Sequence, residues 1–119
     1  MLTWPRAVRV FVHTQPTDMR RSFDRLSWMV QEVLQQDPFS GHLFVFVNRR
    51  GDRMKILFWD RSGFVLFYKR LEEGIFHLPD DDPGGVEIDV PRLTLILEGL
   101  DLSQARRCRR FTRAPVVSP

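Results

Sequence analysis

Residues 43–69 read LFVFVNRRGDRMKILFWDRSGFVLFYK, and this stretch decides the fold. Aromatic and aliphatic residues, many of them of types that favour strands, gather in three runs at residues 43–47, 54–59 and 64–69. Residues 48–53 and 60–63 separate the runs as two short, mainly polar segments, each containing a glycine. Such segments are typical of hairpin turns. The stretch therefore predicts three strands joined as an antiparallel meander.

The segment before the meander predicts a strand followed by a helix. Residues 8–13, VRVFVH, have the composition of a short strand. A helix is expected from about residue 22 to residue 36, with Ser22 as its N-cap. Proline at position 38 should end it, because the residue before a proline avoids the helical region. The apolar residues that recur there at helical spacing are Phe23, Leu26, Val30, Val33 and Leu34.

The segment after the meander predicts one short strand and a second helix, with residues 75–79 as a candidate for a further strand. Residues 75–79 have the composition of a short strand, and residues 80–85, DDDPGG, form a loop. Residues 86–90 alternate between apolar and acidic side chains, which indicates a strand. A helix is expected from Pro91 to about Glu98, with Gly99 as its C-terminal signal.

These elements predict one α+β domain over residues 1–101, followed by a basic, flexible tail at residues 102–119. The expected architecture is a mostly antiparallel sheet in the order β-α-β-β-β-β-α. The meander strands are apolar on both faces, so one face should take the main helix and the other needs a helix, a second sheet or a partner chain. The residues predicted to be buried are Leu26, Val30, Leu57 and Leu66.

Composition narrows the classes of protein. The chain has 119 residues, and no apolar run approaches the roughly 18 needed to span a membrane, so a cytoplasmic protein without a membrane partner is expected. The single cysteine, Cys108, excludes an internal disulfide framework and a multi-cysteine zinc site. The formal net charge is +3, with a basic body, an acidic segment at residues 80–100 and a basic tail. This distribution favours an anionic partner.

The clearest candidate surface lies in the loops of the meander. Alternate turns of an antiparallel meander lie at opposite ends, so the first hairpin shares an end with the end of the third strand, while Arg61 lies at the other end. Basic loops with aromatic side chains between them can hold DNA through phosphate contacts and base stacking. The alternative is that the aromatic residues are core, which the apolar character of the sheet favours, and that the arginines only make the loops soluble. The candidate DNA-binding residues here are Arg49, Arg50, Arg53, Lys55, Lys69 and Arg70.

A second basic group, Arg20 and Arg21, stands just before the first helix. These arginines can meet phosphate near the start of that helix. The alternative is a structural loop in which Asp18 pairs with a neighbouring arginine.

The sequence gives little evidence for a catalytic site. Asp18, Asp60, Glu72 and Glu73 are the carboxylates available for a metal-dependent nuclease, but no spacing makes them converge. The three histidines are isolated, and no nucleophile elbow is present. We therefore expect no catalytic residues, no metal site and no cofactor.

Several blocks of the sequence together resemble one known family. Residues 16–26, PTDMRRSFDRL, resemble its opening signature, and residues 37–46 and 49–60 resemble its second and third blocks. Residues 63–79 complete the pattern, and residues 95–99, LILEG, resemble its terminal helix. The family is the small TnpB-like accessory protein of insertion sequence family sixty-six, which is unrelated to the RNA-guided nucleases sharing that label. Arg25 and Arg61 stand where glycine is more usual in the family, and Ile75 where a basic residue is.

The resemblance implies an accessory role in DNA transposition beside a separate DDE transposase, which would supply the catalytic carboxylates. The expected partners are therefore DNA and the transposase of the same element, and a homo-oligomer is compatible with both. Three functional hypotheses follow: a DNA-contacting accessory factor, a module that docks on the transposase without binding DNA, and a small metal-dependent nuclease.

Overall fold

The computed structural model describes residues 8–79, 85–101 and 106–107. Within these residues the chain forms β1 (Val10–His13), α1 (Phe23–Glu32), β2 (Leu43–Val47), β3 (Arg53–Asp60), β4 (Gly63–Arg70), β5 (Val86–Ile88), α2 (Val90–Leu97), β6 (Leu100–Asp101) and β7 (Arg106–Arg107). The first five strands form one sheet in the order β4-β3-β2-β1-β5, and β6 pairs with β7 separately.

The predicted meander is confirmed. β2, β3 and β4 pair antiparallel, with Leu57 opposite both Phe44 and Leu66. β1 runs parallel to β2, because α1 carries the chain back across the sheet between them, and β5 pairs antiparallel with β1. The mostly antiparallel α+β fold is therefore confirmed, with one parallel pair at its centre.

Apolar residues fill both faces of the sheet. On one face, Leu26 and Val30 of α1 join a cluster with Leu57 and two buried phenylalanines of β2, Phe44 and Phe46. On the other face, the α2 residues Leu93 and Ile96 and the loop residue Phe76 pack against alternate residues of the strands. Of the covers that the sequence allows for the second face of the sheet, a helix, a second sheet or a partner chain, the structure has a helix, α2. The domain therefore has three layers.

Three details of the prediction are wrong. Residues 75–79 pair with no described strand, although Phe76 inserts into the core and its amide donates to the Gly51 carbonyl at 2.7 Å. Leu66 is only half-buried, because β4 is an edge strand. The main helix ends at Glu32, since the Gln36 amide donates back to the Val30 carbonyl and turns the chain out of the helix.

The second helix matches its predicted signals. Asp89 is its N-cap, and the Asp89 carboxylate accepts a hydrogen bond from the Arg92 amide at 2.9 Å. Pro91 lies in the first turn, and Gly99 follows the helix with φ +79°. No helix in the described part of the chain is long and apolar enough to cross a membrane.

The predicted tail lies largely outside the described residues. Of residues 102–119, the structure describes only β7, which pairs with β6. The domain boundary at residue 101 and the flexibility of the tail stay predictions.

Candidate nucleic-acid interface

Two arginine groups that are far apart in the sequence face each other across one cleft. The loop after β1 supplies Arg21, and the β2–β3 hairpin supplies Arg49, Arg50 and Arg53. The cleft has a volume of about 470 Å³ and is also lined by Pro16, Thr17, Asp18, Met19 and Asn48. Because β1 and β2 are adjacent and parallel, the loops that follow them emerge at the same edge of the sheet. We call this site the arginine cleft.

The hairpin side of the cleft is held by its own hydrogen bonds. The Asn48 side chain donates to Asp52 at 2.8 Å and accepts from the Arg53 amide at 3.0 Å. The bond from Asn48 lowers the pKa of Asp52, which keeps that carboxylate ionised. Gly51 has φ +81°, and a Cβ there would lie 3.2 Å from the Cβ of Ile75. A larger residue is therefore disfavoured at Gly51 both by backbone strain and by lack of space.

The other side of the cleft is anchored to the strands. The Thr17 amide donates to the Val47 carbonyl at 2.8 Å, and the buried Thr17 hydroxyl lies 3.3 Å from Nδ1 of His13. Burial lowers the pKa of His13, so its ring is neutral at neutral pH. The hydrogen bond between the ring and the Thr17 hydroxyl therefore places no charge in the buried site.

Lys55 holds the same loop in place through hydrogen bonds from within the protein. Its Nζ donates to the carbonyls of Met19 and Arg21, both at 2.7 Å, and lies 4.8 Å from the centre of the Tyr68 ring. The residue is only 6% exposed. The sequence predicted Lys55 as a DNA contact, but the structure makes it an internal support, because its ammonium group is buried and committed to the loop.

Other predicted basic residues are paired. Arg20 forms an ion pair with Asp18 at 2.7 Å, and this partner lowers the pKa of Asp18 to about 2. Arg70 lies opposite Arg53 in the sheet register, as expected from the meander, and pairs with Glu72 at 2.8 Å. Their charges are thus offset locally.

Lys69 is also removed from the cleft. It follows Tyr68 in the strand and therefore lies on the other face of the sheet, where its Nζ donates to the Leu97 carbonyl of α2 at 2.8 Å. Its predicted contact with the same DNA surface as the hairpin arginines is not supported by this position.

Exposed positive charge lies at the hairpin tip. Arg49 and Arg50 are exposed, and neither side chain forms a hydrogen bond or ion pair with another residue that the structure describes. Arg21 is half-buried and donates to Sδ of Met29 at 3.3 Å. Arg53 donates to the Tyr68 hydroxyl at 3.0 Å, and this bond, with the nearby carboxylates of Asp52 and Glu72, raises its pKa, so that it stays charged. Four guanidinium groups around one concavity form a site suited to phosphate oxygens.

The aromatic residues of the meander divide between core and surface. Phe44, Phe46 and Phe58 are buried, Trp59 is half-buried, and Phe67 and Tyr68 are exposed. At the other end of the meander, Arg61 adopts φ +56°, a backbone conformation that glycine adopts without strain.

No group of three or more histidine, cysteine or carboxylate side chains able to hold a metal ion exists within residues 8–79, 85–101 and 106–107. Asp18 and Glu72 are engaged in ion pairs with arginines, and Asp60 closes the turn between β3 and β4. Residues 80–82 and Cys108 lie outside the described residues.

Comparison with known proteins identifies the family. The family model described as "IS66 Orf2 like protein" matches residues 8–107. The chain is 39% identical to "Uncharacterized protein y4hO" of Sinorhizobium fredii (strain NBRC 101917 / NGR234), over 95% of this chain and 98% of the relative. It is 37% identical to "Uncharacterized protein y4jC" of the same organism, over 86% of this chain and 87% of that relative. No solved structure matches significantly. The chain therefore belongs to the IS66 Orf2-like family of transposition-associated accessory proteins.

Proposed function

We propose that this protein contacts DNA during transposition without catalysing strand cleavage, and that the arginine cleft is the contact surface. The observation that carries the proposal is the convergence of Arg21, Arg49, Arg50 and Arg53 on one concavity. A hairpin used only for solubility does not need a second arginine-bearing loop anchored opposite it.

The arrangement favours the DNA phosphate backbone over a specific base sequence. Guanidinium groups at a hairpin tip provide charge and hydrogen-bond donors, which hold phosphates without reading bases. Arg49 and Arg50 can meet phosphates without breaking an existing ion pair. Lys55 and Lys69 are left out of the surface, because their ammonium groups donate to backbone carbonyls.

The first expected result is a steep dependence of DNA affinity on salt. If the four cleft arginines each neutralise one phosphate of duplex DNA, the logarithm of the binding constant should fall with the logarithm of salt with a slope of roughly −3.6. Affinity should then drop roughly 150-fold between about 50 and 200 mM salt. Arg50→Ala should reduce the magnitude of the slope by about one and weaken binding almost equally for all sequences. Titrations at four salt concentrations measure these slopes.

A matched control is available at the opposite end of the meander. Arg61→Asn removes one exposed arginine there and retains a residue that tolerates a positive φ. This variant should keep the slope of the wild type. A wild type that fails to bind at low salt, or a slope that responds to Arg61→Asn and not to Arg50→Ala, would show that the arginine cleft is the wrong surface.

The second expected result concerns catalysis. Pure protein with magnesium or manganese should neither cleave nor join DNA, since the described carboxylates form no convergent metal site. Incubation with supercoiled plasmid and with element-end oligonucleotides tests this. Metal-dependent nicking that disappears in Asp60→Ala or Glu72→Ala would favour the nuclease hypothesis instead.

Docking on the transposase of the same element is the second candidate function. An aromatic cluster favours it: Phe39, which is 57% exposed, contacts the rings of Trp59 and Phe64 at centroid distances of 5.1 and 5.2 Å. Exposed aromatic residues are enriched at protein interfaces. Pull-down with the purified transposase, comparing the wild type with Phe39→Ala, tests this hypothesis independently of DNA.

A further inference from the structure

We infer that Tyr68 is a stacking platform for an unpaired base, so that the arginine cleft and Tyr68 together bind single-stranded DNA. This inference rests on the proposed function, because the cleft supplies the phosphate contacts beside the ring. It adds to the phosphate contacts a second contact of different chemistry, which unpaired bases can make and the paired bases of duplex DNA cannot.

The position of Tyr68 carries the first step of the argument. Tyr68 is 47% exposed, and its hydroxyl accepts a hydrogen bond from Arg53, which also lines the arginine cleft. One guanidinium group therefore borders both the phosphate-binding concavity and the aromatic ring. A nucleotide whose phosphate meets the cleft would have its base within reach of Tyr68.

The ring is also held in place, which is the second step. Nζ of Lys55 lies over it at 4.8 Å from the centroid, and Arg53 fixes the hydroxyl at 3.0 Å. Because Lys55 covers one side of the ring and is itself only 6% exposed, a base would stack on the other side. A ring already fixed by two contacts loses little conformational entropy when a base stacks on it.

An exposed ring of this kind favours unpaired over paired bases. Bases of duplex DNA are stacked on each other and cannot lie flat on an external ring, whereas unpaired bases can. A basic groove beside an exposed aromatic ring is the usual construction of a surface that binds single strands with little sequence preference. Aromatic stacking contributes roughly 5- to 150-fold in affinity per base.

Tyr68 can be compared with its neighbour in the same strand. Phe67 is 44% exposed, close to the value for Tyr68, but consecutive residues of a strand point to opposite faces of the sheet. Phe67 therefore lies on the face away from Lys55 and is a matched control for loss of an exposed ring.

The experiment uses the full chain and two labelled oligonucleotides of equal length, one of deoxythymidine and one with the same sugar-phosphate backbone but no bases. The wild type should bind the deoxythymidine strand roughly 5- to 150-fold more tightly than the abasic strand. Tyr68→Leu should bring this ratio close to one, whereas Tyr68→Phe and Phe67→Leu should preserve it. Arg50→Ala should weaken binding of both strands and leave the ratio unchanged.

The outcomes separate this inference from the proposed function. A ratio near one in the wild type, or a ratio unchanged by Tyr68→Leu, overturns the stacking role, and the cleft still stands if Arg50→Ala weakens binding. Absence of binding to single strands and to duplex at low salt overturns both. If Tyr68→Leu does not fold, photocrosslinking of the wild type to a strand containing 5-bromodeoxyuridine decides the question. Crosslinks at Tyr68 support stacking, and crosslinks confined to other residues overturn it.

Discussion

Replacing Leu57 with alanine is expected to lower the free energy of unfolding by about 2–5 kcal/mol. Leu57 is fully buried, and it lies in the central part of the meander opposite Phe44 on one side and Leu66 on the other. Its side chain belongs to the cluster that also contains Leu26 and Val30 of α1. Alanine would leave a cavity between the sheet and the helix that the surrounding elements cannot close without moving.

Leu95→Ala is the matched control for this measurement. Leu95 lies on α2 and is 37% exposed, so the same chemical change should cost much less there than at Leu57. Denaturant unfolding of the wild type and both variants gives the comparison. A loss below about 0.5 kcal/mol in Leu57→Ala would contradict the packing of α1 on the sheet.

Lys55→Met is expected to cost about 2–3 kcal/mol and to weaken DNA binding without removing a surface charge. Methionine keeps the apolar length of the side chain but cannot donate to the carbonyls of Met19 and Arg21. Each hydrogen bond from a charged group contributes roughly 1.5–3 kcal/mol, and relief of the buried charge offsets part of the loss. The loop that carries Arg21 should then lose its fixed position opposite the hairpin.

Lys69→Met tests whether the effect belongs to the position or to the loss of a lysine. Nζ of Lys69 donates to a single carbonyl, that of Leu97, so this variant should be the milder of the two. Denaturant unfolding measures stability, and amide hydrogen exchange reports protection in the loop after β1. Equal losses of stability in the two variants, with unchanged exchange in that loop, would show that Lys55 does not support the arginine cleft.

The meander was predictable because its signals are local. β2, β3 and β4 follow one another between Leu43 and Arg70, with only short turn segments between them. Antiparallel hairpins pair such neighbouring segments directly. The burial of Leu66 was overestimated because position at the edge of a sheet depends on strand order, which apolar composition does not encode. Residues 75–79 have the composition of a strand, but they pair with no described strand, and Phe76 inserts its side chain into the core instead.

The arginine cleft was only half predictable. The sequence indicates both the hairpin arginines and Arg21, but their meeting depends on the parallel pairing of β1 with β2, which joins segments some thirty residues apart. The position of Lys55 in the sequence does indicate an internal role. A lysine between Met54 and Ile56, inside a strand that is apolar on both faces, has to find acceptors within the protein, and such a residue is a poor candidate for contact with solvent or DNA.

The strand order also bears on how the chain reaches this structure. The β3–β4 hairpin closes over residues 53–70 only. In contrast, β1 pairs with β5 through partners such as Val10 and Ile88, which lie far apart in the sequence. Closing a long loop costs more entropy than closing a short one, so the hairpins can form early and β1 must be captured later. Until β1 is captured, the edge of β2 stays open to pairing with another chain. Refolding at high protein concentration should therefore be most vulnerable to aggregation at this step.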